Sequence, residues 1–371
     1  MDVVVTGIGL ISALGNLEQT WRRSLSSQTG ICLRQPFPEL APRPLALIGS
    51  SPSALRTLVG RVAIAALQDA ALEPPLTDCG IVVGSSRGQQ AQWEKLARLN
   101  QDRIENWLET LPNAAAIATA HEVGAVGLVL SPMAACATGL WAIAQAFELI
   151  QTGQCQRVVA GAVEAPITPL TLAGFTQVGA LAKIGAYPFD CHREGLALGE
   201  GGAVFVMETA ESAERRLARV YGHILSFGLT ADGHHVSAPD PSGRMGAIAI
   251  KQCLERSGLT PEAIGYIHAH GTATQLNDRN EAQLIQRIFP QGVPVSSTKG
   301  ATGHTLGASG ALGIAFCLMA LKHQTLPPCV GLSNPEFELD FVTEPRSAMI
   351  QNALCLSFGF GGQNAAIALG C

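Results

Sequence analysis

The chain has 371 residues, 47% of them hydrophobic, 14% charged and 5% aromatic, with 40 glycines and 21 prolines. A chain this apolar buries most of its length, which excludes a disordered protein, and its length suits two or three structural units. Net charge is -5, without a run of Lys or Arg. No nucleic-acid partner is expected, because neutralising phosphates needs clustered cations.

The ten cysteines are irregularly spaced and form no C-x-x-C pair, which argues against a disulfide framework or a zinc ribbon. The opening Met1-Asp2-Val3-Val4-Val5 has no basic, then apolar, leader, so no signal peptide is read and a cytoplasmic location is expected.

In chain order, short apolar runs at residues 2–6, 80–83, 126–130, 157–160 and 203–207 predict strands. Residues 59–71 and 138–151 predict helices, and residues 208–219 a charged helix. Strand patterns return at 221–225, 264–268, 293–296, 354–357 and 365–369, with helices at 245–257, 278–287 and 308–322. Such alternation predicts α/β layers. Residues 123–147 and 300–321 carry no Asp, Glu, Lys or Arg, long enough to raise the membrane question. Ser131, Pro132 and Thr138 interrupt the first, and glycines and His304 the second. Both read as buried strand–turn–helix units, so no membrane is expected. Ala137-Thr138-Gly139 with Ile143-Ala144 matches Ala308-Ser309-Gly310 with Ile314-Ala315, which hints at duplication with the two helices in equivalent central places.

Cys136 precedes the first of these helices. A thiol at a helix N-terminus sees unpaired N–H groups and the positive dipole end, which favour thiolate and can hold an oxyanion. A small buried core residue is the other reading. His270 follows one predicted strand, and His304 lies between another and the second buried helix, which suits a nucleophile assisted by two imidazole donors; two hydrogen-bonded structural histidines would read the same way. His268 and His270 form a possible metal pair, but no third ligand has suggestive spacing, and no metal is expected. Gly84-x-Ser86-x-Gly88 fits a nucleophile elbow or a plain glycine turn. Gly7-Ile8-Gly9 hints at a dinucleotide fingerprint, but Ser12 replaces the third glycine.

The ordered set of motifs resembles the β-ketoacyl-acyl carrier protein synthases of the elongating Cys-His-His type. It includes Thr6-Gly7-Ile8-Gly9, Ala135-Cys136-Ala137-Thr138-Gly139, Gly161-Ala162-Val163-Glu164-Ala165-Pro166, Pro188-Phe189-Asp190 and His270-Gly271-Thr272. Ser296-Ser297-Thr298-Lys299, Gly303-His304 and Ser357-Phe358-Gly359-Phe360-Gly361-Gly362 complete it. The resemblance implies a thiolase-like fold, two similar βαβαβαββ halves in α/β/α/β/α layers, at residues 1–212 and 213–371. It implies decarboxylative condensation of an acyl group on Cys136 with malonyl-acyl carrier protein, giving a 3-oxoacyl product without a cofactor. His270 and His304 would hold the malonyl thioester oxygen, and the N–H groups of Cys136 and Phe360 the oxyanion. Lys299 and Glu281 would orient the histidines, supported by Asp278. Thr272 and Thr274 would hold the pantetheine arm, with Phe358 and Gly361 also touching substrate and Phe360 as gate. Acyl carrier protein is the implied partner, and a homodimer the implied assembly, with a heterodimer possible.

The chain departs from that pattern in three residues. Gly313 stands where a glutamate is usual, Gln363 for a threonine, and His268 for a small polar residue. The segment between Gly84 and Cys136 is also short. A non-catalytic chain-length-factor-like subunit of a heterodimer is therefore the alternative. A biosynthetic thiolase, with Cys355 as a second cysteine, and a coenzyme A-dependent initiating synthase rank below.

Overall fold

The computed structural model describes residues 1–98 and 107–371. Its N-terminal half contributes strands β1 (Val3–Ser12), β2 (Gly80–Gly84), β3 (Val129–Leu130), β4 (Arg157–Glu164) and β5 (Gly201–Thr209). The C-terminal half contributes β6 (Gly222–Ala231), β7 (Tyr266–His268), β8 (Pro294–Ser296), β9 (Asp340–Phe341), β10 (Asn352–Gly359) and β11 (Gln363–Gly370). The first half pairs in the order β3-β2-β4-β5-β1 and the second in the order β8-β7-β10-β11-β6, with β9 added outside β8. Directions match as well: the three strands at each outer end are parallel and the inner ones antiparallel. The halves are therefore structural duplicates, joined where β1 pairs antiparallel with β6 at Val3 and Ile224.

Helices fill three layers around these sheets. Helices α1 (Leu55–Asp69) and α2 (Ala114–Val123) pack outside the first half, and α4 (Arg244–Ser257) and α5 (Gln275–Ile288) outside the second. Between the sheets lie α3 (Thr138–Gln151) and α6 (Ser309–His323), in the largest core cluster. Every residue of α6 from Ser309 to Leu321 is buried, so the apolar window Leu306–His323 is a core helix inside the fold. The two central helices touch where only small residues fit. A Cβ on Gly139 would lie 2.5 Å from the Ala311 nitrogen.

Three elements differ from the sequence expectation. Strand β1 runs on through Gly7 and Gly9, which lets α1 pack against its backbone; a Cβ on Gly9 would meet the Val62 carbonyl at 1.9 Å. These glycines serve helix–strand packing in mid-strand and form no dinucleotide loop. Strand β3 is only two residues long, because it is the sheet edge, and Val126 is 79% exposed. Glu208 belongs to β5 rather than to a helix: its buried carboxylate accepts from Thr6, Arg157 and Arg216, and the helix is shortened to Ala210–Arg215.

Candidate active site

The nucleophile turn comes first. After β3 the chain reverses through Ala135, at φ +46°, a left-handed conformation that needs support from its surroundings. Thr138 supplies it: its hydroxyl accepts from Ala134 N–H at 2.9 Å and donates to the Ala135 carbonyl at 2.7 Å. Cys136 follows, just ahead of α3. The C-terminal glycine loop closes over it. A Cβ on Gly359 would meet the Ala134 carbonyl at 2.7 Å and the Cys136 nitrogen at 3.1 Å, so only glycine permits that approach. The Phe360 N–H thereby faces the Cys136 sulfur.

His270 leaves β7 in a loop pinned by two carboxylates three residues apart on α5, hence on one helix face. Glu281 accepts from the N–H groups of His270 at 2.6 Å and Gly271 at 2.7 Å. Asp278 accepts from Thr272, Ala273 and Phe189 N–H at 2.9, 3.1 and 2.8 Å. Lys299 donates to the His270 carbonyl and stands 3.4 Å from His270 Nδ1. An ammonium offers only protons, which favours the neutral ring with its proton on Nε2; the Ser357 hydroxyl stands at the same distance from Nδ1. His304 reaches the same state differently. Leu306 N–H donates to its Nδ1 at 3.1 Å, and the Ser309 hydroxyl lies 2.8 Å from the same atom.

The ligating atoms of Cys136, His270 and His304 lie within 4.8 Å of one another, all buried. The imidazole rings meet edge to face, with centroids 5.4 Å apart. Burial, and then Lys299, hold both histidines well below the ordinary 6.5, so at neutral pH they are uncharged Nε2–H donors. Cys136 corrects the expectation of a thiolate. Burial pushes its thiol up to about 11, and Lys299, Arg87 and the Phe360 N–H pull only partly against it. Desolvation outweighs the helix terminus here. Burial likewise raises Glu281 and lowers Lys299, each opposed by the other's charge.

A cavity of about 260 Å³ opens onto this centre, lined by Cys136, His270, His304, Thr272, Thr274 and Phe358 among others. Phe360 also lines it and stacks on Phe175 at 5.9 Å. Lys299, Glu281 and Asp278 stand behind this wall, not on it. Gly361 is outside it too, its N–H bonded to the Val236 carbonyl at 2.9 Å. A larger groove of about 880 Å³ beside α4 holds none of these residues.

The remaining motifs resolve into packing. Ser86 donates its hydroxyl to Glu164 at 2.6 Å, so it is a turn residue rather than an elbow nucleophile. His268 bonds Thr298 at 3.0 Å and faces Cys355, away from the cavity. It does not form a metal pair with His270. Cys355 is fully buried behind the centre and does not line the cavity as a thiolase's second cysteine would. Ser309, Phe175 and Glu164 were not predicted as site residues. The hydroxyl of Ser309 was hidden in a stretch that reads as an apolar helix start.

Models of the β-ketoacyl synthase N-terminal and C-terminal domains match residues 53–213 and 221–333. The chain belongs to the β-ketoacyl synthase family. It is 32% identical to an Arabidopsis thaliana mitochondrial 3-oxoacyl-acyl-carrier-protein synthase, over 98% of this chain and 92% of that protein. It is 33% identical to 3-oxoacyl-acyl-carrier-protein synthase 2 of Synechocystis sp., over 99% and 97%. Among solved structures, a type II polyketide acyl carrier protein in complex with its ketosynthase matches with TM-score 0.94 at 26% identity, over 100% of this chain and 99% of that one. The ishigamide ketosynthase/chain length factor matches with TM-score 0.91 at 25% identity, over 100% and 98%. This β-ketoacyl synthase has the thiolase-like fold of those ketosynthases, with its Cys, His and His from different halves.

Proposed function

We propose that this β-ketoacyl synthase is an acyltransferase that condenses an acyl group on Cys136 with malonyl-acyl carrier protein. The carrying observation is the convergence of one sulfur and two imidazole rings, each presenting Nε2–H, on the wall of one cavity. In the first step Cys136 attacks the acyl thioester, and its proton leaves with the carrier thiol. In the second, the malonyl carboxylate departs as carbon dioxide and its electron pair moves to the thioester oxygen. His270 and His304 donate to that oxygen, and each such donor contributes about 3–4 kcal/mol in comparable sites. The enolate carbon then attacks the Cys136 thioester. The N–H groups of Cys136 and Phe360 hold the resulting oxyanion, which collapses to 3-oxoacyl-carrier protein and expels the Cys136 thiolate, and a proton from solvent restores the thiol. The apolar wall of Phe175, Phe358 and Phe360 keeps water from the carbanion. Thr272 and Thr274, hydroxyls 2.8 Å apart on the cavity wall, are placed to hold the pantetheine arm.

The protein works as a homodimer in this reading, in the cytoplasm. The open edge β3 and the exposed Val126, Leu128, Leu130 and Met133 support a partner there. Ten free cysteines suit a reducing compartment. The test combines the protein with acyl- and malonyl-carrier protein and follows 3-oxoacyl product by mass spectrometry. Product that requires Cys136 supports the reading. Absence of product and of Cys136 acylation turns it into a non-catalytic, chain-length-factor-like subunit.

A further inference from the structure

We infer that Glu164 is a positioning residue: from the N-terminal half, its carboxylate holds the turn that keeps His304 in its donor tautomer. The functional meaning rests on the condensation proposed above; the contacts do not. Glu164 ends β4 and is fully buried. Its Oε1 accepts from Ser85 Oγ at 2.6 Å and Arg87 N–H at 3.1 Å. Its Oε2 accepts from Ser86 N–H at 2.7 Å, Ser86 Oγ at 2.6 Å and, across the junction of the halves, Gly307 N–H at 3.1 Å. Every partner is a donor, so a carboxylate satisfies them all and an amide would aim its own N–H at one of them.

Gly307 lies in the tight turn Leu306–Ala308. Two successive N–H groups of that turn have different tasks: Leu306 donates to His304 Nδ1, and Gly307 donates to Glu164 at 3.1 Å while shared with the Ser86 hydroxyl at 3.2 Å. Leu306 sits at φ +43°, which an L-residue holds only under constraint. Gly307 fits against the carboxylate because it lacks a side chain; a Cβ there would lie 2.6 Å from Glu164 Oε2. Without that anchor the turn relaxes, and the Leu306 N–H leaves the imidazole. The Ser309 hydroxyl, which can accept as well as donate, then permits the proton on Nδ1. Nε2 would turn a lone pair to the cavity and lose its hydrogen bond to a developing oxyanion.

The experiment compares full-length wild type, Glu164→Gln and Ser86→Ala, each shown folded by circular dichroism. Imidazole ¹⁵N spectra, with His304 assigned by loss of its signals in His304→Ala, report the tautomer without any turnover. Wild type is expected to carry the proton on Nε2, and Glu164→Gln to move it partly to Nδ1. Malonyl-carrier protein decarboxylation should fall about 100-fold in kcat, the scale of losing one oxyanion donor, with KM near wild type and Cys136 acylation not slowed, since the Glu164 charge is one of the influences that raise the Cys136 thiol. An unchanged His304 tautomer overturns the inference, as does an equal fall of both rates. If Glu164→Gln does not fold, Ser86→Ala decides by the same readouts, with a smaller shift in the same direction expected and no shift overturning it. A wild type inactive on both substrates would refute the condensation while leaving the spectra as the test of Glu164.

Discussion

A methyl group on Gly313 would stand 2.8 Å from His268 Nδ1 and 2.7 Å from Cys355 Sγ. The imidazole of residue 268 thus occupies the room that the bare α-carbon of residue 313 leaves open. Two of the three residues at which the sequence departs from the family pattern, Gly313 and His268, form one packing arrangement. His268 in turn bonds Thr298, the residue before Lys299.

Gly313→Ala should therefore overpack a fully buried site and cost about 1–3 kcal/mol. Combined with His268→Ser, which makes room beside it, the loss should be smaller than the sum of the two single changes. Chemical denaturation of the four proteins checks this; strict additivity would contradict a shared space.

Cys136 should be slow to alkylate at neutral pH. A thiol raised to about 11 by burial is protonated at pH 7, and its thiolate fraction grows tenfold with each pH unit below that value. Peptide mapping of iodoacetamide labelling should show the Cys136 rate still rising at pH 9–10. A plateau near pH 7 would mean that the sulfur is ionised in the resting enzyme. Exposed Cys32, Cys191 and Cys371 provide internal references.

Acid should destabilise the fold through its histidines. His270 and His304 have pKa values held well below 6.5 in the folded chain, so the unfolded chain binds more protons once pH drops under about 6.5. Their effect is absent above that pH and grows below it, at up to about 1.4 kcal/mol per pH unit for each ring until its folded pKa is reached. Denaturation at pH 7.5 and 5.5 should show a drop that shrinks in the double variant His270→Ala and His304→Ala.

The two reacting steps should separate by mutation. Cys136→Ala should abolish acyl transfer yet leave slow malonyl decarboxylation, because both imidazole donors remain. His304→Ala should leave Cys136 acylation intact and reduce decarboxylation by about 100-fold or more. Radiolabelled carbon dioxide release and intact-protein mass spectrometry measure the steps independently. Parallel loss of both in either variant would contradict the division of roles.

The layered fold was legible because β4, β5, β10 and β11 are largely apolar and buried, the second central helix is buried on every side, and the first carries a long charge-free stretch before Glu148. The cavity's Cys136, His270 and His304 were legible through motif resemblance. What single residues could not reveal was the balance of opposing terms. The helix start at Cys136 suggested a thiolate, but nothing in the local string measures how dry the sulfur becomes. Glu164 escaped for a related reason: its five donors come from positions 85–87 and 307, and only the assembled sheet brings those loops to the end of β4. Gly361 stands off the cavity wall, although its neighbours Phe360 and Gly362 line it, because its own N–H turns to Val236.

The contact between Gly139 and Ala311 gives the duplication a mechanical meaning. Sulfur and imidazoles ride on opposite repeats, so their spacing is set at the seam between the central helices, where one added carbon acts as a wedge. The outer helix α5 fixes the His270 loop through Glu281 and Asp278, and the seam fixes how far that loop stands from the sulfur. Neither repeat alone carries the sulfur and both imidazoles, so the reacting centre exists only where the two are held in register.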